Sequence, residues 1–532
     1  MKFRVERDPL GDVRVPADAY YGAQTRRAVE NFPISGLAAP PELVVATVQI
    51  KKAAAEANGA LGRLPSDVAK AIVRAADEIL QGALRDQFVV DVYQAGAGTS
   101  HNMNANEVLA NRAAELLGGQ RGEYTRVHPN DHVNMGQSTN DVFPTATRLS
   151  LLAMVPGLLD AAHALADGLA TKSRAFAHLL KTGRTHLQDA VPITLGQEFG
   201  GFAANVIQAA DDLERSAMQL RELNLGATAV GTGLNAGDDY AARAIAHLQR
   251  YTGTPVRPAA NRFRVTQSMG DVLAFSGTVR RLAVEVNKIA SDLRLLSSGP
   301  RAGIAEIQLP PVQPGSSIMP GKVNPSVPEM VNQVCFQVYG CDAAILAAAD
   351  AGQLELNVMM PVMAWNAIHA TRILTNAMRV LQDRCIVDTR ADEERCRELL
   401  DRSTALATAL SPYIGYAATA DIAKASVKTG RSIRELVRER KLLPDAQLDA
   451  ILSAEAMTSP GVPGQKHDEK HKTPDVPGGS GPGAGERRSS RATHAPVQAR
   501  GPRGTGTARS RRVAAPRQDH GRAGGGRGKR RR

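Results

Sequence analysis

The sequence predicts a mainly α protein: a central bundle of long helices, flanked by a mixed N-terminal domain and a small helical C-terminal domain, with a disordered basic tail. Aromatic residues make up only 4% of the chain, and Ala, Leu and Val supply most of the apolar content, which favours helix over strand. A seven-residue apolar repeat runs through the middle of the chain, and the last stretch is rich in Gly, Pro, Ser and Arg. We place the domains at residues 1–140, 141–395, 396–464 and 465–532.

The N-terminal domain is predicted to combine helices with loops. The clearest helix lies within residues 63–83, where Ser66 is expected to cap the N-terminus. Apolar residues recur there at helical spacing: Val68, Ile72, Ala75 and Ile79. Gly- and Asn-rich stretches on either side indicate loops.

The central domain carries the strongest helical pattern. Eight apolar residues follow one another in alternating steps of three and four: Val272, Phe275, Val279, Leu282, Val286, Ile289, Leu293 and Leu296. A second segment has the same rhythm: Val206, Ala210, Leu213, Ala217 and Leu220. Helices this long and regular pack nearly parallel in a bundle. Because wide apolar faces often continue burial against other subunits, we expect a homo-oligomer.

The C-terminal part changes character twice. After residue 395 the helices shorten, with Gly430 as a break, and near Pro460 the helical pattern stops. Residues 465–532 have too few large apolar side chains to fold. They hold 18 of the 65 basic residues and 5 of the 53 acidic ones, so the net charge of +12 belongs to this tail. Nucleic-acid contact is therefore expected at most weakly, through the tail, and would be sequence-blind because no aromatic residues interleave the arginines.

Cysteine use and the N-terminus predict a soluble cytoplasmic protein. The four cysteines show no CxxC or zinc spacing, and we expect buried, reduced thiols: Cys335, Cys341, Cys385 and Cys396. The opening residues MKFRVERDPL are charged and lack the apolar core of a secretory signal. The most apolar stretch, residues 149–170, is interrupted by proline, histidine and two aspartates, so we expect no membrane span.

Five polar loops interrupt the apolar body, and each concentrates small hydrogen-bonding side chains: Gly96–Glu107, His132–Asp141, Thr182–Pro192, Gly226–Asn235 and Pro314–Pro325. The last reads PGSSIMPGKVNP and holds too many breakers for helix or strand. Small hydroxyls, amides and one lysine suit a compact dianion such as a dicarboxylate. No His, Cys or Asp cluster has metal spacing and no nucleotide-binding loop follows a strand, so we expect no metal and no cofactor.

These loops resemble the motifs of the fumarase/aspartase superfamily. The resemblance lies in GSSIMPGKVNP, TGRTHLQDA, GAGTSHNMNANEV and QSTND, and it spans residues 4–464. Ser100, Thr139 and the segment Ala351–Val358 are more similar to the aspartate ammonia-lyase branch than to fumarases. Met360 departs from both branches, which usually carry Glu or Lys there. The resemblance implies a cytoplasmic homotetramer in which each active site takes loops from three subunits.

The reaction that this resemblance implies is the reversible anti elimination of ammonia from L-aspartate to give fumarate, through an aci-carboxylate intermediate. The Cβ proton is weakly acidic, so the enzyme must bind the charge that spreads into the β-carboxylate more tightly in the transition state. By resemblance the general base is Ser316, whose deprotonation would need backbone N–H groups and the charge of Lys322 nearby. His186 is the second catalytic residue, and its implied carboxylate partner is Glu329.

The resemblance also implies the residues that bind substrate. Donors to the β-carboxylate would be Thr99, Ser138, Thr139 and Ser317. Lys322 and Asn324 would hold the α-carboxylate, with Thr185 and His186 nearby. Asn140 would contact the amino group, together with Thr99 and His186.

Other interpretations stay open at this point. The chain could be a class II fumarase, which converts malate to fumarate and water. An interpretation of another class is a catalytically dead body whose basic tail binds nucleic acid. Among the candidate substrate-binding residues, three could serve only as helix caps: Thr99, Ser138 and Thr139. His101 and His128 are interpreted as structural or surface residues.

Overall fold

The computed structural model describes residues 2–465, which fold mainly into α-helices and confirm the predicted fold class. The predicted disordered tail at 465–532 lies outside the described residues, apart from Gln465. Buried apolar side chains form one large cluster along the central helices and smaller clusters in the N-terminal and C-terminal parts. Strands occur in the described part only as two-stranded pairs.

The N-terminal part joins a β-hairpin to four helices: β1 (Phe3–Asp8), β2 (Gly11–Pro16), α1 (Ala23–Asn31), α2 (Pro41–Ala60), α3 (Ser66–Leu80) and α4 (Thr99–Leu116). The two strands are antiparallel, from Phe3 opposite Pro16 to Asp8 opposite Gly11. Helix α3 is the predicted one, and its four predicted apolar residues are buried. The expected cap at Ser66 is wrong by one position. Pro65 occupies the cap position, and no side-chain hydrogen bond closes this helix end.

The central part contains the long helices and the remaining strands: α5 (Thr139–Ala175), β3 (Leu180–Thr185), β4 (Gln188–Thr194), α6 (Leu195–Ala217), β5 (Glu222–Leu223), α7 (Asp238–Thr252), β6 (Arg257–Pro258), α8 (Arg262–Gln267), α9 (Gly270–Leu296), β7 (Ile307–Gln308), α10 (Ser326–Asp350), α11 (Met360–Leu381) and β8 (Arg390–Ala391). Strands β3 and β4 form an antiparallel hairpin with an irregular register between Thr182 and Arg184. The β5–β6 pair is parallel and the β7–β8 pair is antiparallel.

Five long helices close into a ring. Helix α5 packs on α6, α6 on α9, α9 on α10, α10 on α11, and α11 returns to α5. All eight residues of the predicted apolar repeat lie on α9, and none is more than 5% exposed. The second predicted repeat, on α6 and the turn after it, is buried as well. The helix bundle that the sequence predicted is therefore confirmed, and its core runs along these two seams.

Helix α5 is long and apolar enough to cross a membrane by length and composition, with a mean hydropathy of 1.6 over its most apolar window. Half of that window is buried inside the protein. Helices α2, α6 and α11 all pack against α5. These contacts make α5 a core helix of the bundle.

The C-terminal part consists of short helices: α12 (Glu393–Arg402), α13 (Ser411–Thr429), α14 (Ile433–Glu439), α15 (Asp445–Ile451) and α16 (Ala454–Thr458). Gly430 follows α13 in a left-handed conformation, which confirms the predicted break. All four cysteines of the chain are unpaired and buried, as expected.

Candidate active site

The loop Pro314–Pro325 connects β7 to α10 and contains neither helix nor strand, as predicted. The hydroxyl oxygen of Ser316 accepts hydrogen bonds from the backbone N–H of Ile318 at 3.3 Å and of Met319 at 2.9 Å. Ser316 is half-buried. Two backbone donors aimed at one oxygen favour negative charge on that oxygen.

Polar contacts hold this loop in shape. The three apolar side chains of the loop do not anchor it within this chain, because all are exposed: Ile318, Met319 and Val323. The Asn324 side-chain amide donates instead to the carbonyl of Gly315 at 2.7 Å and closes the loop at its root. The Lys322 ammonium donates to the Asn324 amide oxygen at 2.7 Å. Ser317 is exposed, and Glu329 is half-buried in the first turn of α10.

The predicted residues Thr185 and His186 lie at the tip of the β3–β4 hairpin, and both are exposed. His186 and Leu187 form the two-residue turn, with φ of 56° and 57°. Positive φ at both positions is typical of a tight hairpin turn, but it is costly for residues with large side chains. Among the described residues, the His186 imidazole has no hydrogen-bond or ion-pair partner. The hairpin therefore presents the imidazole outward from this chain.

A buried ion-pair group ties the hairpin to the rest of the site. The carboxylate of Glu306 is fully buried and accepts two hydrogen bonds of 2.9 Å from the Arg184 guanidinium. Lys181 lies 3.1 Å from the same carboxylate and also bonds Glu198 at 2.9 Å. Glu306 directly precedes β7, the strand that leads into the Ser316 loop. One carboxylate thus fixes the base of the His186 hairpin and the entry to the Ser316 loop.

The remaining predicted residues lie at the N-termini of α4 and α5. Thr99 is the first residue of α4 and is exposed. Ser138 caps α5, because its oxygen accepts the N–H of Asn140 at 3.2 Å and its own N–H donates to Asp141. Ser138 therefore caps α5, and this role leaves its hydroxyl hydrogen able to donate. Thr139 is half-buried beside it.

Side chains link these helix ends to each other. The Asn102 side chain, on the first turn of α4, donates to the Thr139 hydroxyl oxygen at 3.1 Å. The Asn140 side chain donates to the carbonyl of Ala229 at 2.8 Å, which brings in the polar loop Gly226–Asn235. Two helix N-termini carry partial positive charge, and together with these small donors they form a surface suited to carboxylates.

Three titratable groups behind this surface were not predicted as site residues. Burial lowers the pKa of the Lys51 ammonium to about 7, opposed by the charge of Asp141. Burial raises the pKa of the Asp141 carboxyl to about 7, although three backbone N–H groups and Lys51 favour its charged form. Burial, and next the charge of Lys51, lower the pKa of the His101 imidazole to about 4, so it is neutral at pH 7. The sequence did carry a signal for Lys51, which shares one face of α2 with buried Thr47 and Asn58.

The chain brings its predicted site residues into three groups. Thr99 and Ser138–Asn140 belong to the helix ends, Thr185 and His186 to the hairpin, and the residues from Ser316 to Glu329 to the loop and α10. Within residues 2–465, no hydrogen bond joins a side chain of one group to a side chain of another. The predicted pairing of His186 with Glu329 does not occur within this chain, and it stays a prediction for contact between chains.

The chain is similar to known proteins over most of its described length. Residues 11–340 match the family described as Lyase, and residues 406–459 match the family described as Fumarase C C-terminus. The aspartate ammonia-lyase of Pseudomonas aeruginosa is 53% identical over 460 residues, which cover 86% of this chain and 97% of that enzyme.

Two solved structures have the same fold. A fumarate lyase from Brucella melitensis, bound to cobalt, is 51% identical, with a TM-score of 0.82 over 85% of this chain and 98% of that one. A class II fumarase from Schistosoma mansoni is 39% identical, with the same TM-score and the same shares of both chains covered. These matches span nearly all of the described residues.

Proposed function

The chain belongs to the fumarase/aspartase superfamily of lyases, and we propose that it catalyses the reversible anti elimination of ammonia from L-aspartate to give fumarate. The observation that carries the proposal is the pair of helix N-termini joined through Asn102 and Thr139, which gathers small donors suited to a dicarboxylate. The similarity to an aspartate ammonia-lyase is greater than that to a fumarase, at 53% against 39% identity. We therefore favour aspartate over malate as the substrate.

The chemical problem is the removal of a weakly acidic proton from Cβ of aspartate. The charge left behind spreads into the β-carboxylate, and the enzyme gains rate only from groups that bind this aci-carboxylate more tightly than the substrate. Thr99, Ser138, Thr139 and Ser317 are proposed as its donors. The partial positive charge at the N-terminal ends of α4 and α5 would further stabilise this negative charge at short range.

Ser316 is the proposed general base. A hydroxyl is a poor base unless its alkoxide is stabilised, and the two N–H donors at 2.9 and 3.3 Å provide such stabilisation. Lys322 adds a positive charge in the same loop, and with Asn324 it would hold the α-carboxylate. The loop is exposed and attached at its root by Asn324, so its tip can close over a bound substrate.

Completion of the site by neighbouring protomers follows from the separation of its three groups. The tip of the hairpin places Thr185 and His186 outward, where they can reach a second chain. At that contact between chains, His186 would pair with Glu329. In the completed site, Asn140 and Thr99 would contact the amino group of the substrate. The bundle also exposes large apolar side chains that a partner would cover, among them Phe336 at 59% and Leu346 at 53%. A homotetramer with shared active sites, working in the cytoplasm, is our proposal.

The test is direct. The purified chain is mixed with L-aspartate and, separately, with L-malate, and fumarate is followed by its ultraviolet absorbance. We expect fumarate from aspartate, and the reverse addition of ammonia to fumarate. Fumarate from malate alone would identify a fumarase, and turnover of neither substrate would refute the proposed lyase activity.

A further inference from the structure

We propose that Lys51 is a positioning residue for the Thr139 hydroxyl, acting through the side chains of Asn134 and Asn102. Lys51 lies on α2, behind the segment Ser138–Asn140, and does not itself reach the surface that would meet substrate. The inference rests on the proposed function, because it assigns a role in binding the β-carboxylate to Thr139.

The surroundings of Lys51 are unusual for a buried amine. The side chain is fully buried, and its ammonium nitrogen donates to the amide oxygens of Asn134 at 2.9 Å and Gln137 at 3.0 Å. No carboxylate of the described residues lies within ion-pair distance of it. A buried amine without a paired carboxylate is costly to folding, so stability alone gives no reason for a lysine here.

Three successive hydrogen bonds connect Lys51 to the Thr139 hydroxyl. The Asn134 oxygen that accepts from Lys51 also accepts from the Asn102 amide at 3.3 Å. The same amide nitrogen of Asn102 donates its other hydrogen to the Thr139 oxygen at 3.1 Å. Because Thr139 receives a hydrogen bond from behind, its own hydroxyl hydrogen is left to donate towards a carboxylate. Lys51 thus fixes the amide orientation on which the direction of this donor depends.

The segment Ser138–Asn140 is also held in place by the carboxylate of Asp141. The Asp141 carboxylate accepts the N–H groups of Ser138 at 2.9 Å, Gly226 at 2.9 Å and Thr228 at 3.0 Å. Lys51 fixes side chains in front of α5, and Asp141 fixes the backbone at the start of α5. With both contacts in place, the three donors at Ser138–Asn140 have one arrangement before substrate arrives, which is what preorganised electrostatic stabilisation needs.

The experiment is a double-mutant cycle with Lys51→Met, Thr139→Val and the combined variant, measured as kcat and KM for L-aspartate. Lys52→Met is the matched control, since Lys52 is the next residue on α2 and pairs with Asp77 at 2.6 Å, away from the candidate site. We expect Lys51→Met to lower kcat/KM by about 10- to 100-fold, mainly through kcat, since misplacement of one group costs this much. The double variant should be no worse than Thr139→Val alone. In the control cycle, the effects of Lys52→Met and Thr139→Val should multiply.

A second variant covers the case in which Lys51→Met does not fold. Asn102→Leu breaks the same chain of contacts without changing the buried amine, and its cycle with Thr139→Val should be non-additive in the same way. The inference would be overturned if the effects of Lys51→Met and Thr139→Val on kcat/KM multiplied. It would also be overturned if the Asn102→Leu enzyme kept its full rate. Failure of the proposed function looks different, because the unaltered chain would then not convert aspartate at all.

Discussion

Gly98 offers a measurement of how tightly the candidate site is built. This residue precedes Thr99, has φ of +82°, and packs directly against the ring of Phe143 on α5. A methyl group added at Gly98 would overlap that ring. Phe143 is itself only 2% exposed, so the ring has little room to move. Gly98→Ala should therefore push the start of α4, and Thr99 with it, away from α5.

Two effects should lower the free energy of unfolding of the Gly98→Ala variant. A left-handed conformation with a Cβ costs roughly 1–2 kcal/mol. Overpacking of a filled core costs about 1–3 kcal/mol more. We expect Gly98→Ala to lower the free energy of unfolding by about 2–5 kcal/mol in total. Because Thr99 moves, kcat/KM for L-aspartate should fall by at least about 10-fold.

Gly118→Ala separates the two costs. Gly118 follows the other end of α4 with a nearly equal φ of +78°, and no atom lies within 4 Å of the place where its Cβ would be. This control should lose only the roughly 1–2 kcal/mol of backbone strain and keep full activity. Thermal and denaturant unfolding at one protein concentration give the stabilities, and fumarate formation gives the activities. Equal losses of stability and activity in the two variants would show that the contact with Phe143 does not position Thr99.

Three further changes test other parts of the structure. Ser316→Ala should lower kcat by about 10²- to 10⁴-fold while calorimetry still detects binding of fumarate, and a near-normal rate would exclude Ser316 as the base. Glu306→Gln should lower the free energy of unfolding by about 3–5 kcal/mol, since Arg184 and Lys181 lose a buried charged partner. The control Glu398→Gln, at an exposed ion pair, should have a far smaller effect, and equal shifts of the unfolding midpoint in the two variants would contradict this. Removal of residues 466–532 should leave kcat/KM unchanged, because every proposed site residue precedes residue 330, and a large loss would give the tail a part in catalysis.

What the sequence predicted well was set by local pattern. The apolar repeat from Val272 to Leu296 specifies a helix and its buried face together, and it needs no knowledge of distant residues. The same holds for the break at Gly430 and for the hydroxyl at Ser138, which sits where a helix begins. The cap at Ser66 was missed by one residue, because Ser66 is already the first residue of the helix and Pro65 stands at the cap position.

What the sequence did not predict depends on tertiary contacts. Lys51 and Lys52 are neighbours with the same chemistry. The sequence places Lys51 on one face of α2 with Thr47 and Asn58, but the packing of α2 against the rest of the chain decides that this face is buried. The role of the Glu306 carboxylate could not be predicted, because its partner Arg184 lies 122 positions away in the sequence and only the fold brings the two together. The loop around Ser316 was recognised from composition, yet its closure by Asn324 is a contact between its two ends.

Glu306 also meets two other parts of the chain through its backbone. Its N–H donates to Leu296 at the end of α9, and its carbonyl accepts from Asp392 just before α12, both at 2.9 Å. The bundle, the hairpin and the C-terminal helices are thus joined at one residue, whereas the Ser316 loop is closed at its root by the contact of Asn324 with Gly315. Glu306 and Asn324 are accordingly natural borders for a chimera, in which the stretch between them is exchanged with that of a relative while the contacts of Glu306 are kept.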